Sequence, residues 1–531
     1  MDTRSRLLFL LTAVVVLTTF LSPIQRELYV GDETKYGEVI REMRTTGSFL
    51  VPVLNGHPYS HKPPLHFWAI DLLTRPFGLH SIWPYVLPSL IANLLLLWLV
   101  WRFTRELFDS LTAWVATFLT STFYLVWGIA QTARMDLEFT VLITLAILQL
   151  HRFIERESRR DLLLAAVALG VAILVKGPMA LVIALLLLLF EGVRRRRFPR
   201  GNYAAAVAIV AAIPLLWVIP AVITGGRAYA EELLVKQNIG RAVNSWVHRE
   251  PLWYYLGHAP GTFLPWFFLF AVSLVAVYRR KDPPAESNRS RFLVSWVLAV
   301  LIPFSLISGK LDVYMLPAMI PAAMLGARLV ADSRRDLVSK LAVAANATTI
   351  ALLGMVMVTV AAFAARFLKP TPERELLFLP SVQAMLWTTA AAAAVALLVL
   401  LFLRRDRLIP STVLTGIVAT IPLLFLGTAL MPVLNDIGST HELIQALERI
   451  DVPGDRIALY YTPYLWSRNM PGNLEDVRYI DADDLGRISP PPSIVVTKSS
   501  RAEDLGPALG RYEKFDELRM RGRTFDVYRR R

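Results

Sequence analysis

Apolar residues arrive in this chain as long unbroken blocks, not as the alternating or short periodic patterns of a soluble domain. They predict helices near 7–22, 83–103, 111–130, 137–153, 161–175, 178–192, 203–223, 262–278, 291–308, 313–331, 341–366, 381–403 and 409–431. Each is close to the roughly 20 apolar residues needed to cross a bilayer. The stretch 161–192 is divided at Lys176-Gly177-Pro178, which reads as a turn. The expected fold is therefore an α-helical polytopic membrane protein with about thirteen spans.

Composition agrees with that pattern and charge gives it a direction. Of the 531 residues 55% are hydrophobic and 18% charged, against about 25% charged in soluble domains. The net charge is +14, which in a soluble protein would suggest nucleic acid. Here the arginines sit in connectors between apolar blocks, so membrane orientation accounts for them and no nucleic-acid partner is expected. With the N-terminus inside, every inside connector is basic: Arg102 and Arg105; Arg152, Arg156, Arg159 and Arg160; Arg194 to Arg197; Arg279 to Lys281; Arg334 and Arg335; Arg404, Arg405 and Arg407. An odd number of spans then places the C-terminal end outside. The first block follows Arg4 and Arg6 and is expected to remain as a span, since Ser22-Pro23-Ile24-Gln25 is no small-residue cleavage site. There is no cysteine, which excludes disulfides, thiolate metal sites and a cysteine nucleophile.

Two outside segments are too long for simple turns, 23–82 and 224–261. In the first, Asp32 to Thr46 reads as an amphipathic helix with Tyr36, Val39, Ile40 and Met43 on one face and Gly47 as its C-terminal cap. Asn55-Gly56 marks a turn. A second helix beginning near Leu65, with His66, Asp71 and Arg75, is too short to span and is expected to lie in the interface plane. From about Asn435 the pattern changes: a helix over His441 to Ile450, then strands over Ile457 to Tyr461, Ser493 to Thr497 and Thr524 to Tyr528. Residues 1–434 are thus expected to form the membrane domain and 435–531 a small α/β domain on the outer, periplasmic face.

The isolated ionisable residues fall in the outside connectors. They are Asp32 and Glu33, Lys62, Arg134 and Asp136, Lys176, and Lys310 with Asp312 and Tyr314; Arg241 and His248 lie in the second long segment. Charge near a membrane is costly and is usually paired or functional. Cations suit a phosphate, carboxylates suit a base or sugar hydroxyls, and aromatic rings suit a sugar face or the interface. The inventory fits a sugar carried on a lipid phosphate better than a solute that crosses. Each residue also has a plain structural role open to it. Asp32 could cap the following helix; Asp136 could pair with Arg134; Lys62 could snorkel; Lys176 and Lys310 could mark span ends; His248 could be a surface or core histidine.

Several stretches carry a resemblance. Gly31-Asp32-Glu33-Thr34-Lys35-Tyr36, Lys62-Pro63-Pro64-Leu65, Arg134-Met135-Asp136, Lys176-Gly177-Pro178, Asn238-Ile239-Gly240-Arg241 with His248, Pro251-Leu252-Trp253-Tyr254-Tyr255, and Gly309-Lys310-Leu311-Asp312-Val313-Tyr314 follow one another in order. This run resembles the bacterial GT-C glycosyltransferases of the protein O-mannosyltransferase superfamily, and most of all the lipid A aminoarabinose transferases. The resemblance spans the chain and is most specific in the first outer loop.

It implies an inverting glycosyltransferase of the bacterial inner membrane that moves a sugar from a polyprenyl (undecaprenyl) phosphate carrier to lipid A, a related glycolipid, or a protein or glycan. Asp32 matches the family's catalytic aspartate and Asp136 its second acid. Lys62 matches the carrier-phosphate lysine, Lys176 and Tyr314 match cavity residues, and His248 matches a histidine near the phosphate. Glu33, Arg134, Arg241 and Lys310 stand beside them as substrate-binding candidates. No catalytic cofactor is required. The relatives hold a structural divalent metal through an acidic residue and that histidine; His61 replaces the acid here, so a metal would rest on His61 and His248. A lipid-linked sugar flippase is the rival from another class. It would place charges at mid-membrane in two matching halves, and no such repeat is seen in the sequence.

Overall fold

A computed structural model describes residues 2–240, 249–332, 334, 336–367, 379–402, 407–450, 452–520 and 523–531. Arg241 and His248 therefore lie outside the described residues. Among those described, nine helices are long and apolar enough to cross a membrane, and two bent pairs raise the number to eleven. The chain is a multi-pass membrane protein.

The thirteen predicted spans each fall on a helix or a bent pair, and the difference in number has a physical reason. Arg159–Lys176 carries Arg159, Arg160, Asp161 and Lys176 within 18 residues, and Met179–Arg195 has only 17. Both helices exist, but one is too charged and the other too short to count by composition alone. Two predicted straight spans are instead broken. Ser110–Thr122 meets Tyr124–Ala130 at 67°, and Tyr254–Thr262 meets Phe267–Arg279 at 114°.

Contacts divide the chain into two units. The first comprises Met1–Ser22, Ser60–His66 and Leu87–Leu430. Its centre is the helix Leu316–Ala331, where Ala318, Ala322, Ala323, Gly326 and Ala327 are all small. Small residues let helices approach closely where no hydrophobic effect drives them together, and this helix is the most buried of the spans. The helices Tyr203–Gln237 and Pro380–Leu401 are the least buried and expose apolar side chains along their lengths, as lipid-facing helices do.

The second unit comprises Pro23–Tyr59, Phe67–Val86 and Met431–Arg531. The amphipathic helix spans Asp32–Thr46 and ends at Gly47 in the left-handed conformation (φ 71°). Tyr36, Val39, Ile40 and Met43 are all buried. The predicted turn closes a two-stranded hairpin of β1, Val53–Leu54, and β2, His57–Pro58. Asn55 and Gly56 both take positive φ, the geometry that matches strand twist and selects Asn-Gly. The carboxylate of Glu42 accepts the backbone N–H groups of Asn55 (2.7 Å) and Gly56 (2.9 Å), pinning the turn to the helix.

The rest of this unit is built on a five-stranded sheet of order β4-β3-β5-β7-β6. Its strands are β3, Ile457–Tyr460; β4, Arg478–Tyr479; β5, Ile494–Lys498; β6, Tyr512–Met520; and β7, Arg523–Arg530. Ile457 and Leu459 of β3 with Ile494 and Val496 of β5 face one core, closed by Leu443, Ile444 and Leu447 of the helix His441–Glu448. Ala458, Tyr460 and Val495 face another, with Leu485 and Leu505. Burial on both faces explains why these strands read as continuous apolar runs.

Candidate active site

The first unit gathers one carboxylate and two cations. Asp136 opens the helix Asp136–Arg156 and is 3% exposed. A carboxylate there faces the positive end of the helix dipole. Arg134 Nε donates to Asp136 Oδ2 at 2.9 Å, and the Lys176 ammonium donates to Oδ1. Arg134 is held in turn through its carbonyl, which accepts the Ser89 hydroxyl at 2.8 Å.

Lys176 is the last residue of Arg159–Lys176. Gly177 follows at φ 97°, where a side chain would be strained, and Pro178 turns the chain into the next helix. The Lys-Gly-Pro sequence thus fixes where the lysine side chain leaves the backbone. Its ammonium lies 4.8 Å from the centre of the Tyr314 ring and 5.6 Å from that of Phe139, within range of a cation–π attraction. Tyr314 sits on the short 3₁₀ turn Asp312–Met315 and stacks on Phe304 at 4.9 Å. The hydroxyl of Tyr255 donates to the carbonyl of Leu311 at 3.2 Å and so anchors the start of that turn.

Lys62 lies in the segment Ser60–His66 of the same unit and is half-buried. That segment is tied down by a pair not recognised from sequence. His66 is fully buried, and its Nδ1 lies 2.9 and 3.1 Å from the carboxylate oxygens of Glu138. Glu138 follows Asp136 by two residues in the first turn of the same helix. The signal was available in Asp136-Leu137-Glu138, two acids placed directly before a long apolar run. Lys310, by contrast, points into protein. It is buried, and its ammonium donates to the carbonyls of Ile307 (2.6 Å) and Glu250 (2.9 Å). Desolvation lowers its pKa below the ordinary lysine value.

Asp32 and Glu33 belong to the second unit. Gly31 precedes them at φ 124°, ψ −125°, a backbone open to glycine. Asp32 is the first helical residue, not the cap, and is half exposed with Lys35 Nζ at 3.8 Å. Glu33 is buried. Its carboxylate accepts from Arg26 at 2.5 Å and from the Tyr29 backbone N–H at 2.9 Å. Arg26, itself buried, was missed because it reads as a charge at a span end.

Of the two histidines expected to hold a metal, His61 is exposed and His248 lies outside the described residues. Among the described residues, His57, Asp481 and Asp484 of the second unit place one ligand atom each within 4.8 Å of one another. All three are at the surface, with His57 Nε2 3.5 Å from Asp481 and 3.8 Å from Asp484.

Comparison with known proteins bears on this arrangement. Residues 61–220, which include Lys62, Asp136 and Lys176, match the family model described as dolichyl-phosphate-mannose-protein mannosyltransferase. The chain is similar to undecaprenyl phosphate-alpha-4-amino-4-deoxy-L-arabinose arabinosyl transferase 1 of Pseudomonas fluorescens, with 29% identity over 56% of this chain. It is also similar to the second such transferase of Proteus mirabilis, with 27% identity over 61% of this chain. It spans 53% and 60% of the lengths of those relatives. Its fold is shared with the crystal structure of ArnT from Cupriavidus metallidurans bound to undecaprenyl phosphate. The TM-score there is 0.73 at 19% identity, covering 98% of this chain and 97% of that one. The fold is therefore of the GT-C type.

Proposed function

We propose that this chain is an inverting, inner-membrane glycosyltransferase that moves a sugar from undecaprenyl phosphate to an acceptor at the periplasmic face. The leading acceptor is lipid A or a related glycolipid, and the leading sugar is 4-amino-4-deoxy-L-arabinose. One observation carries the reading: a buried carboxylate bearing two cations, Asp136 with Arg134 and Lys176, in a chain whose fold throughout is that of a protein crystallised with undecaprenyl phosphate. The activity by which the similar transferases are named supports it.

In this reaction the acceptor oxygen attacks C1 of the sugar, the bond from C1 to the phosphate oxygen breaks, and its electron pair leaves with the lipid phosphate. That leaving group needs its charge stabilised more than it needs a proton. Lys62 and Lys176 supply positive charge, with Tyr314 and, by the resemblance, His248 as further donor-site residues, while Asp136 orients Lys176 and Arg134. Asp32 takes the proton when the acceptor is a hydroxyl and positions the substrate when the acceptor is already an anion. Glu33 and Lys310 serve by holding backbone in place, and Arg241 is kept as a substrate contact. A structural divalent cation would rest on His61 and His248, and no step depends on it. The basic connectors support an N-terminus in the cytoplasm and a C-terminal domain in the periplasm.

The test is transfer by the purified full chain. It is given undecaprenyl phosphate-linked aminoarabinose and lipid A, and the lipid product is weighed by mass spectrometry. A product heavier by one aminoarabinose supports the proposal. A second reading, a polyprenyl-phosphate-mannose protein or glycan mannosyltransferase, is favoured by the family match over residues 61–220. Transfer from undecaprenyl phosphate-linked mannose to protein, with none from the aminoarabinose carrier, would select it. Movement of intact donor across vesicles without sugar transfer would overturn both in favour of a flippase.

A further inference from the structure

The two broken spans meet at one place. A cavity of about 510 Å³ lies among Tyr124, Gly257, His258, Gly261, Thr262 and Asp312, all in the first unit. Tyr124 begins the short half of one bent pair, and residues 257–262 lie in the short half of the other. The pairs are tied together where the Tyr124 N–H donates to the carbonyl of Leu264 at 3.1 Å. Interrupted helix at membrane depth is tolerated where it is buried in protein or lines a water-filled cavity, and it marks binding sites in other membrane folds. A volume of this size lies within the range of small-ligand pockets, about 300–1,000 Å³.

The lining carries a few polar groups in fixed positions. Asp312 Oδ1 accepts the Tyr254 hydroxyl at 3.2 Å and lies 3.3 Å from His258 Nδ1. The His258 ring stacks on Tyr254 at 3.9 Å and 25°. The contact sets the His258 imidazole beside the Asp312 carboxylate. Gly257 and Gly261, four apart on one helix face, leave open space, since a Cβ at either would meet nothing within 4 Å.

Charge selects among ligands. Among the described residues the lining holds a carboxylate and no lysine or arginine, which disfavours a phosphate. Carboxylate, imidazole, hydroxyls and an aromatic face together suit the hydroxyl groups and the apolar face of a sugar ring. The cavity also has a place in the proposed reaction. Asp312 and Tyr314 share one 3₁₀ turn, where residues two apart project in different directions. Tyr314 faces Lys176 while Asp312 faces His258.

We propose that this cavity is a saccharide subsite which binds an unphosphorylated, hydroxyl-bearing sugar ring through Asp312 and His258. Its assignment to the acceptor side rests on the transferase reading above. The donor phosphate and the acceptor ring would then be held by two residues of one short turn.

The experiment uses the full chain in lipid nanodiscs and saturation-transfer NMR with methyl α-glucopyranoside, with glucose 1-phosphate as the anionic comparator. Native mass spectrometry of undecaprenyl phosphate retention runs in parallel. Saturation transfer to the glycoside is expected for the native chain and is weaker for glucose 1-phosphate. G261L, which fills the cavity, removes it. D312N reduces it about five-fold, the effect of one hydrogen bond. A native chain that retains undecaprenyl phosphate but shows no transfer to glycoside overturns this subsite and leaves the transferase reading standing. Glycoside binding without undecaprenyl phosphate retention keeps the subsite and removes its acceptor role. Undiminished transfer in G261L, or stronger transfer to glucose 1-phosphate, also overturns the proposal.

Discussion

Asp136 and Glu191 are both buried carboxylates of the first unit that bear two cations each, and they do different work. Asp136 stands at a helix N-terminus and holds Arg134 and Lys176. Glu191 stands in the last turns of Met179–Arg195 and holds Arg194 and Arg195 from its own helix, with Ser295 donating at 2.7 Å. The difference lies in where the cations go next. Arg195 continues to Glu155 and Arg194 to Asn288, so charge around Glu191 is passed to further polar partners. Lys176 instead turns to aromatic rings, Tyr314 and Phe139. One cluster closes on itself and fixes a connector; the other presents positive charge among rings. Composition alone cannot tell these apart.

Breaking the open cluster should have the largest effect. Lys176→Met removes positive charge while keeping side-chain bulk. It should cut sugar transfer by about 10²-fold or more, the scale of losing one charge-stabilising group, as read from initial rates on the undecaprenyl-linked donor. A variant that keeps native rates removes Lys176 from the site. Breaking the closed cluster should act on stability instead. Glu191→Ala leaves two arginines with a missing partner and should destabilise by about 3 kcal/mol, visible as a lower unfolding midpoint in detergent, with the rate per folded molecule retained. If transfer per folded molecule falls in step, the division between the clusters fails.

A smaller effect tests the second unit. Glu42→Gln weakens the acceptor for two backbone N–H groups of the hairpin turn and should cost about 1–2 kcal/mol, with faster hydrogen exchange at Asn55 and Gly56. Equal exchange in both proteins would show that the turn holds itself. The smallest effect belongs to a buried carboxylate on β7. Burial pushes the Asp526 pKa up, but Lys514 at 2.8 Å and the Ser499 hydroxyl outweigh that and set it below the ordinary aspartate value. Such a group adds stability above the ordinary aspartate pKa, and that contribution is lost as pH falls through the lower folded value. Acid titration of the unfolding midpoint should therefore fall less steeply below about pH 4 in Asp526→Asn. Identical acid limbs would show that the pairing with Lys514 does not persist in solution.

How far the sequence could be read depended on how local each signal is. The helix Asp32–Thr46, its Gly47 end and the Asn55-Gly56 turn are set by periodicity and backbone preference, and they stand where the pattern puts them. β3, β5 and β7 follow from apolar runs. β6 was passed over because Glu513, Lys514, Asp516 and Glu517 read as loop; it lies at the sheet edge, where charge is tolerated and blunts further pairing. β4 is two residues long and has no pattern to show. At the candidate site, Arg134 beside Asp136 was legible as two neighbours in sequence. Lys176 against Asp136, and His66 against Glu138, are separated by 40 and 72 residues, and only helix packing brings them together.

The sequence by itself determined that this chain enters a membrane many times, which connectors carry positive charge, and where the first long connector turns. Those properties follow from transfer free energy and backbone preference, which act residue by residue. The tertiary structure decided that two of the expected spans are bent and that Glu33 and Lys310 are occupied by protein. It also decided that Asp136, Lys176 and Tyr314 form one cluster while Asp312 turns to the cavity between the bent pairs. These depend on which helix faces meet and on what each charge finds there once it has left water, and packing sets both.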